Sequence, residues 1–348
     1  MASDAPLKFA CIGLDHPHII GLMDGFLAAG AECVAFHSND DAEPLGNFRS
    51  RYPRVPRVDD KRRILENPEV ELVACSGIPA VHAEDSVLAM RHGKAVVVDK
   101  PGVTSFEQLR LIEKVQKETG VTYSVCYSER FRSPSAVAAG RLIAEGAIGQ
   151  VVQTIGMGPH RHNPARRRPW FYDREQYGGI LVDLASHQID QFLSFTGSRT
   201  ARIVGSAIGN LANPDHPGLE DFGEINLHSE HATGYIRVDW LTPDGLAVWG
   251  DGRIFILGTE GFIELRKYID VEGRPGANHL FITDNSGSRH IDCSNEPLPY
   301  FRQVIDDVRT GGETAMSLSH CLEVCRLALE AQEAARILPP RNEGQRLK

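Results

Sequence analysis

Asp183, His187 and Asp190 follow one another at spacings of four and three residues in the stretch GGILVDLASHQID (178–190). On a helix this places Asp183 and His187 on one face, one turn apart. A histidine there could take a hydroxyl proton near neutral pH, because its unperturbed pKa is about 6.5. Asp190 could orient its ring. Lys100 is the second candidate. It follows the apolar run AVVV (95–98) and precedes Pro101, which forces the chain out of a sheet. That puts it at the C-terminal end of a central parallel strand, where open α/β sheets bind ligands. There a lysine stabilises negative charge on a reacting oxygen. Lys100, Asp183 and His187 would thus supply a cation, an orienting carboxylate and a base. The plainer alternatives are a surface lysine paired with Asp99 and a helix histidine with no chemical role. A metal held by the Asp/His/Asp stripe is a weaker reading, since no further ligand at fixed spacing completes it.

A third group lies in CIGLDHPHIIG (11–21), an apolar strand pattern that turns into a helical one. A dinucleotide fold places its G-x-G-x-x-G turn here, so that the backbone approaches a pyrophosphate. Gly13 is in place, but Asp15 and His18 stand where glycines are expected. Asp15 brings negative charge toward a diphosphate unless it caps the helix, with Pro17 in the first turn. His16 and His18 could donate to phosphate or face the nicotinamide. Two histidines are too few for a zinc set, so the stretch reads as a variant cofactor loop, with no metal expected. At the end of the second strand, in FHSNDD (36–41), Ser38 and Asn39 occupy the place of the acidic residue that usually holds the ribose of NAD. This leans to NADP, although no adjacent arginine is present and Asp40 could reach a ribose.

The elements that must position these groups are legible from periodicity. Residues 1–126 alternate β-rich runs (7–12, 32–37, 71–75, 95–98 and 121–126) with helical patterns such as 81–92 and 105–119, each closed by a glycine. Alternation of this kind implies a doubly wound parallel sheet. From 127 to 348 the pattern is α+β. A strand at 149–158, a polar loop and a helix at 179–195 precede seven strand-like segments between 201 and 293, joined by short glycine-rich turns of an antiparallel sheet. Two helices, at about 297–310 and 317–336, close the chain and could pack back on the first domain. The 348 residues suit two domains. A net charge of −9 argues against nucleic-acid binding. No run of about 18 apolar residues suggests a membrane span, and MASDAPLK lacks a signal core. Seven scattered cysteines fit reduced, mostly buried thiols of a cytoplasmic protein.

The ordered motifs resemble those of the glucose–fructose oxidoreductase, inositol dehydrogenase and rhizopine-catabolism (Gfo/Idh/MocA) family. GIPAVHAEDSVLAMRHGKAVVVDKP (77–101) is similar to the family's stretch from its cofactor-contacting Pro and His to its Glu-Lys-Pro motif, here Asp99-Lys100-Pro101. YSERFRSP (127–134) is similar to the segment joining the two domains, and 178–190 to the glycine-rich Asp-x-x-x-His-x-x-Asp helix. Ile180 replaces that motif's third glycine. The resemblance implies NAD or NADP bound by the first domain, contacted by Gly13, Asp15, His16, His18, Ser38, Asn39, Ser76, Ile78, Pro79, His82, Asp99 and Lys100. It implies a sugar, polyol or sugar-acid substrate met by Lys100, Asp183, His187 and Arg130. HRHNPARRRPWFYD (160–173) adds Arg168 and Trp170, because arginine binds carboxylates bidentately. A homodimer or homotetramer is implied through the second sheet, with Trp240, Val248 and Trp249 as candidates for its apolar face. The predicted function is hydride transfer between a nicotinamide and such a substrate. Redox-neutral elimination or deglycosylation on a transiently reduced cofactor, and a non-catalytic sugar or cofactor sensor, are the alternatives.

Overall fold

A computed structural model describes residues 5–339. The chain divides into two compact units. The first comprises the chain up to Cys126, with Glu175–Gly178 and Pro299–Cys325; the second comprises Tyr127–Arg174, Gly179–Leu298 and the chain from Arg326 onward.

In the first unit, β1 (Lys8–Ile12), β2 (Glu32–His37), β3 (Leu72–Cys75), β4 (Ala95–Asp99) and β5 (Tyr123–Cys126) form a parallel sheet of spatial order β2-β1-β3-β4-β5. β3, β4 and β5 are buried at every residue, which is why their sequences carry no polar alternation. Helices His18–Ala28, His82–Arg91 and Phe106–Thr119 alternate with the strands. Ser105 caps the last of these by accepting from the Gln108 N–H, a bond contributing about 1 kcal/mol, and Gly120 ends it with φ 67°. Strand order reverses at β1, so the carboxyl ends of β1 and β3 flank the crevice where such sheets bind ligands. One feature is absent from the periodicity: residues 56–58 pair with β2, with Phe36 N–H donating to Pro56 O and Val58 N–H donating to Phe36 O. Helix Tyr300–Thr310 stacks Phe301 edge-on against Phe26 at 5.0 Å, directly over Gly25, where any side chain would run into the Phe301 ring.

The second unit is a nine-stranded sheet of order β13-β12-β11-β10-β6-β9-β8-β7-β14. Its strands are β6 (Val151–Pro159), β7 (Arg202–Gly209), β8 (Phe222–His228), β9 (Thr233–Asp239), β10 (Arg253–Gly258), β11 (Gly261–Arg266), β12 (His279–Asp284), β13 (Gly287–Asp292) and β14 (Arg336–Ile337). β6 and β9 pair in parallel, as do β7 and β14; the other pairs are antiparallel. Alternate residues Ile254, Ile256, Ile263, Leu265, Leu280 and Ile282 bury one face against Ala136 and Ala139 of helix Pro134–Ala144. The sequence reading assigned no helix there. Alanines on one side of this helix let its backbone lie close to the sheet.

Trp240 does not belong to an open apolar face. It is buried beside His160 and Phe171, with the Arg167 guanidinium 4.7 Å from its ring centroid. Trp249 is exposed and Val248 half-buried. Six of the seven cysteines are buried, Cys33 partly, and all are free thiols. Among the described residues no helix is long and apolar enough to cross a membrane.

Candidate active site

In the first unit, the loops after β1, β2 and β3 are stitched together by main-chain bonds. Gly13 N–H donates to His37 O, Ser76 N–H to Gly13 O, and His16 N–H to Ser76 O at 2.9 Å. Gly13 has φ +73°, and a Cβ there would lie 2.9 Å from Gly77 Cα, so the crossing of the two loops requires glycine. Asp15 does not cap the following helix. That helix begins at His18 behind Pro17 with no side-chain cap, and Asp15 instead accepts from Asn39 Nδ2. Burial pushes the Asp15 carboxyl up, opposed by that bond.

His16 and His18 converge on Asp99. Asp99 ends β4 at 1% exposure. His18 Nδ1 lies 3.0 and 3.1 Å from its two oxygens, His16 Nδ1 3.3 Å from Oδ2, and Ser76 Oγ donates to Oδ2 at 3.2 Å. The two rings meet edge-on at 4.2 Å. Burial pushes the Asp99 carboxyl up, but the His18 charge and the bonds from both histidines overcome this and hold it well below the usual carboxylate range. Burial, then His18, drives the His16 imidazole down to about 3, so it is neutral at physiological pH. Asp99, which the sequence offered as a cofactor contact, is therefore the hub of a polar cluster.

The remaining first-unit candidates fall into two groups. A cavity of about 410 Å³ opens at the carboxyl edge, lined by Gly13, Asp15, Asn39, Asp60, Lys61 and Asp85 among others. Lys61 spans it, donating to Asp85 Oδ1 at 2.8 Å. Ser38 is buried, with its hydroxyl donated to Asn39 O, and its carbonyl accepts from Arg57 at 2.7 Å. So an arginine does stand beside Ser38, brought there by the pairing of residues 56–58, and it also binds Asp40 at 2.6 Å. His82 is buried behind the edge with both ring nitrogens facing carbonyls, Pro101 O at 2.7 Å and Gly77 O at 3.0 Å. It braces the turn that carries Lys100 rather than presenting a ring outward. Ile78 precedes the short helical turn Pro79–Val81, and Pro79 is buried. Lys100 is 4% exposed. The glycine crossing and the polar cavity fit a dinucleotide.

In the second unit, Asp183 sits in a π-helical turn, Leu181–Ala185, that runs into helix Ser186–Thr196 carrying His187. Such wide turns recur at functional sites. The turn is anchored at its head: Ile180 N–H donates to Glu220 Oε2, Leu181 N–H donates to Gln332 Oε1, and Gln332 Nε2 donates to Glu220. Asp183 and His187 are 7% and 2% exposed. The His187 ring lies edge-on to Tyr127 at 6.2 Å. Asp190 accepts a two-toothed bond from Arg130, both distances 2.7 Å, so Arg130 is committed to Asp190 and stacks on Phe131 at 4.0 Å. In the basic loop, Arg167 is the residue that turns inward, lying 4.2 Å over Phe171, while Arg168 is exposed and Trp170 half-buried.

The sequence reading missed a buried polar set next to this helix. Lys267 donates to Glu129 Oε2 at 2.5 Å, and Gln188 Nε2 donates to the same oxygen at 2.8 Å. Burial pushes Glu129 up, but the charge of Lys267, with those of His187 and His160 next, holds it at about 2. Gln188 in turn packs on Gly156 and Gly158 of β6, where side chains would clash with it. Only the glycines in GQVVQTIGMG (149–158) hinted at such a close approach.

Comparison with known proteins places these features. Residues 13–127 match the oxidoreductase family with an NAD-binding Rossmann fold, and residues 136–264 match the GFO/IDH/MocA C-terminal domain. A scyllo-inositol 2-dehydrogenase (NADP(+)) of Bacillus subtilis is 30% identical over 303 residues, covering 82% of each chain. A scyllo-inositol 2-dehydrogenase (NAD(+)) of the same organism is 26% identical over 276 residues, covering 76% of each. A crystal structure from Erwinia carotovora atroseptica superimposes with a TM-score of 0.93 at 40% identity, covering 96% of this chain and all of that one. A levoglucosan dehydrogenase in complex with NADH and levoglucosan shares the fold, with a TM-score of 0.79 at 18% identity over 95% of this chain and 97% of that one.

Proposed function

The chain belongs to the Gfo/Idh/MocA family of oxidoreductases, and from that premise we propose that it interconverts a hydroxyl and a keto group on a sugar, polyol or sugar acid. The observation that carries this reading is the burial of Lys100, Asp183 and His187, all 7% exposed or less, at the positions of the family's motifs. Buried ionisable side chains cluster at functional sites as well as in structural pairs. A bound nicotinamide supplies the hydride acceptor. The His187 imidazole takes the hydroxyl proton, the Lys100 ammonium stabilises charge on the oxygen as it develops, and Asp183 accepts from substrate hydroxyls. Arg168 and Trp170 are the residues of the basic loop offered to an acidic group, since Arg167 and Arg130 are held by other partners.

Between the two cofactors, the cavity lining favours NAD. Asp15, Asp59, Asp60, Glu84 and Asp85 line it with one lysine, Lys61, already paired. Carboxylates accept from ribose hydroxyls and repel a 2′-phosphate. The Ser38 hydroxyl, the basis for leaning to NADP, points to its own main chain. The nine-stranded sheet is proposed to join copies of the chain in a dimer or tetramer; light scattering showing a monomer of about 38 kDa at micromolar concentration refutes this.

The test of the whole reading is mass spectrometry of cofactor carried through purification, followed by an oxidation screen of polyols, sugars and sugar acids. Reduced cofactor formed with a member of that panel is the expected result. Calorimetry showing no binding of NAD, NADH, NADP or NADPH would overturn it. Turnover without net cofactor change would redirect it to a redox-neutral reaction.

A further inference from the structure

We infer that His16, His18 and Asp99 form a binding site for one divalent cation of the zinc class, with a coordination position left open to an oxygen ligand. The site rests on side chains of the first unit alone and not on the hydride-transfer reading. One donor atom from each of the three residues lies within 4.8 Å of the others. Zinc bonds nitrogen and carboxylate oxygen at about 2.0–2.2 Å, which puts neighbouring ligand atoms of a tetrahedral site about 3.3 Å apart. Measured to the same oxygen, Asp99 Oδ2, His16 Nδ1 and His18 Nδ1 lie at 3.3 and 3.1 Å. Two edges of the ligand set are therefore nearly formed.

Simple hydrogen bonding accounts for the cluster less well. His16 Nδ1 accepts from the His18 main-chain N–H at 3.3 Å, which needs a lone pair on that nitrogen. The same atom faces Asp99 Oδ2 at 3.3 Å, which as a hydrogen bond needs a proton on it. A neutral imidazole nitrogen cannot offer both. A cation would take the Nδ1 lone pair in place of the main-chain N–H and share itself with the facing carboxylate. Two imidazoles and one carboxylate suit zinc, cobalt or nickel better than magnesium or calcium, which prefer all-oxygen shells.

The surroundings have the form of an open metal site. Ser76 Oγ, donating to Asp99 Oδ2, is the outer partner that orients a ligating carboxylate. Pro17 sits between the two histidines, and His16 N–H is tied to Ser76 O, so the loop is held in place. Asp99 is sealed in, whereas the His18 side chain is 33% exposed and that of His16 15%, so an ion enters from the histidine side. Three protein ligands with that side open leave a fourth position for water or a bound ligand's oxygen. The sequence offered two histidines; the third ligand arrives from β4.

The experiment uses the full chain with any purification tag removed, stripped with a chelator and titrated with Co²⁺ in the absence of nucleotide. The expected result is one-to-one saturable binding with the visible absorption bands of four- or five-coordinate cobalt, displaced by Zn²⁺. Those bands should vanish in His18→Gln and Asp99→Asn and persist in His92→Ala, an exposed histidine outside the cluster. Ser76→Ala should weaken binding about 10-fold. In the wild-type chain, Zn²⁺ should also protect His16 and His18 from acylation by diethyl pyrocarbonate, mapped by mass spectrometry. That second readout does not depend on a variant folding. Absence of saturable one-to-one cobalt binding, wild-type binding by folded His18→Gln, or unprotected histidines with zinc bound would each overturn the inference.

Discussion

The two polar clusters of this molecule are built in opposite ways. In the first unit, His16, His18, Ser76 and Asp99 come from the ends of three strands and the start of a helix, and one side remains open: His18 keeps a third of its side chain exposed. In the second, Glu129, Lys267 and Gln188 come from two helices and the end of a strand, and the ion pair is sealed, with Lys267 fully buried. The open cluster gathers two imidazoles on one carboxylate. The sealed one carries a matched pair. Polar groups open to solvent at an edge are available to a ligand, whereas charge compensated inside a core sets shape and field for its neighbours. His187 lies beside the sealed pair, close enough to lower the Glu129 pKa.

That contrast can be broken by substitution, beginning with the neighbour of the sealed pair. His187→Ala should lower kcat/KM by about 10²–10⁴-fold while dinucleotide affinity, measured by calorimetry, stays nearly unchanged. Full activity with the same acid limb in the pH profile would make His187 a structural residue. Next in size is the pair itself. Lys267→Met strands the Glu129 carboxylate in the core and should cost about 3–5 kcal/mol in chemical denaturation, while the double variant with Glu129→Met should recover much of it. Equal losses in single and double variants would show that the pair is not coupled.

Acid titration sharpens the same point. Glu129 is held at about 2 against an ordinary 4.5. Its contribution to stability is therefore complete above about pH 4.5 and is lost as pH falls from there toward 2, by at most about 3 kcal/mol. The acid limb of a stability curve should flatten in the double variant; an unchanged limb refutes the assignment. The smallest expected effect lies at the open edge. NAD should bind at least about 10-fold more tightly than NADP, a difference of about 1.4 kcal/mol, and calorimetry giving the reverse order would mean that Arg57 leaves Asp40 to take the 2′-phosphate.

Much of the fold could be read directly. Ser105 and Gly120 mark the ends of a helix because capping is a matter of neighbouring main-chain groups, and the unbroken apolar runs of β3 to β5 report burial on both faces. The positions of the first-unit candidates after each strand were legible in the same way. What those residues do to one another was not. Arg57 reaches the Ser38 carbonyl because residues 56–58 pair with β2, which no local pattern announced. Asp15 lost its expected role as a cap because Asn39 reached it.

By itself, then, the sequence determined the order of strands β1 to β13, the two kinds of sheet and the family motifs around Lys100, Asp183 and His187. These depend on periodicity and on contacts a few residues apart, which leave a direct trace in the order of side chains. Only the tertiary structure decided the partners. His18 meets Asp99 across 81 residues, Arg130 meets Asp190 across 60, and Glu129 meets Lys267 across 138. Such pairs form because packing brings strand ends and helix faces together, and a buried charge must then take whichever opposite group lies within reach. No local spacing encodes that choice.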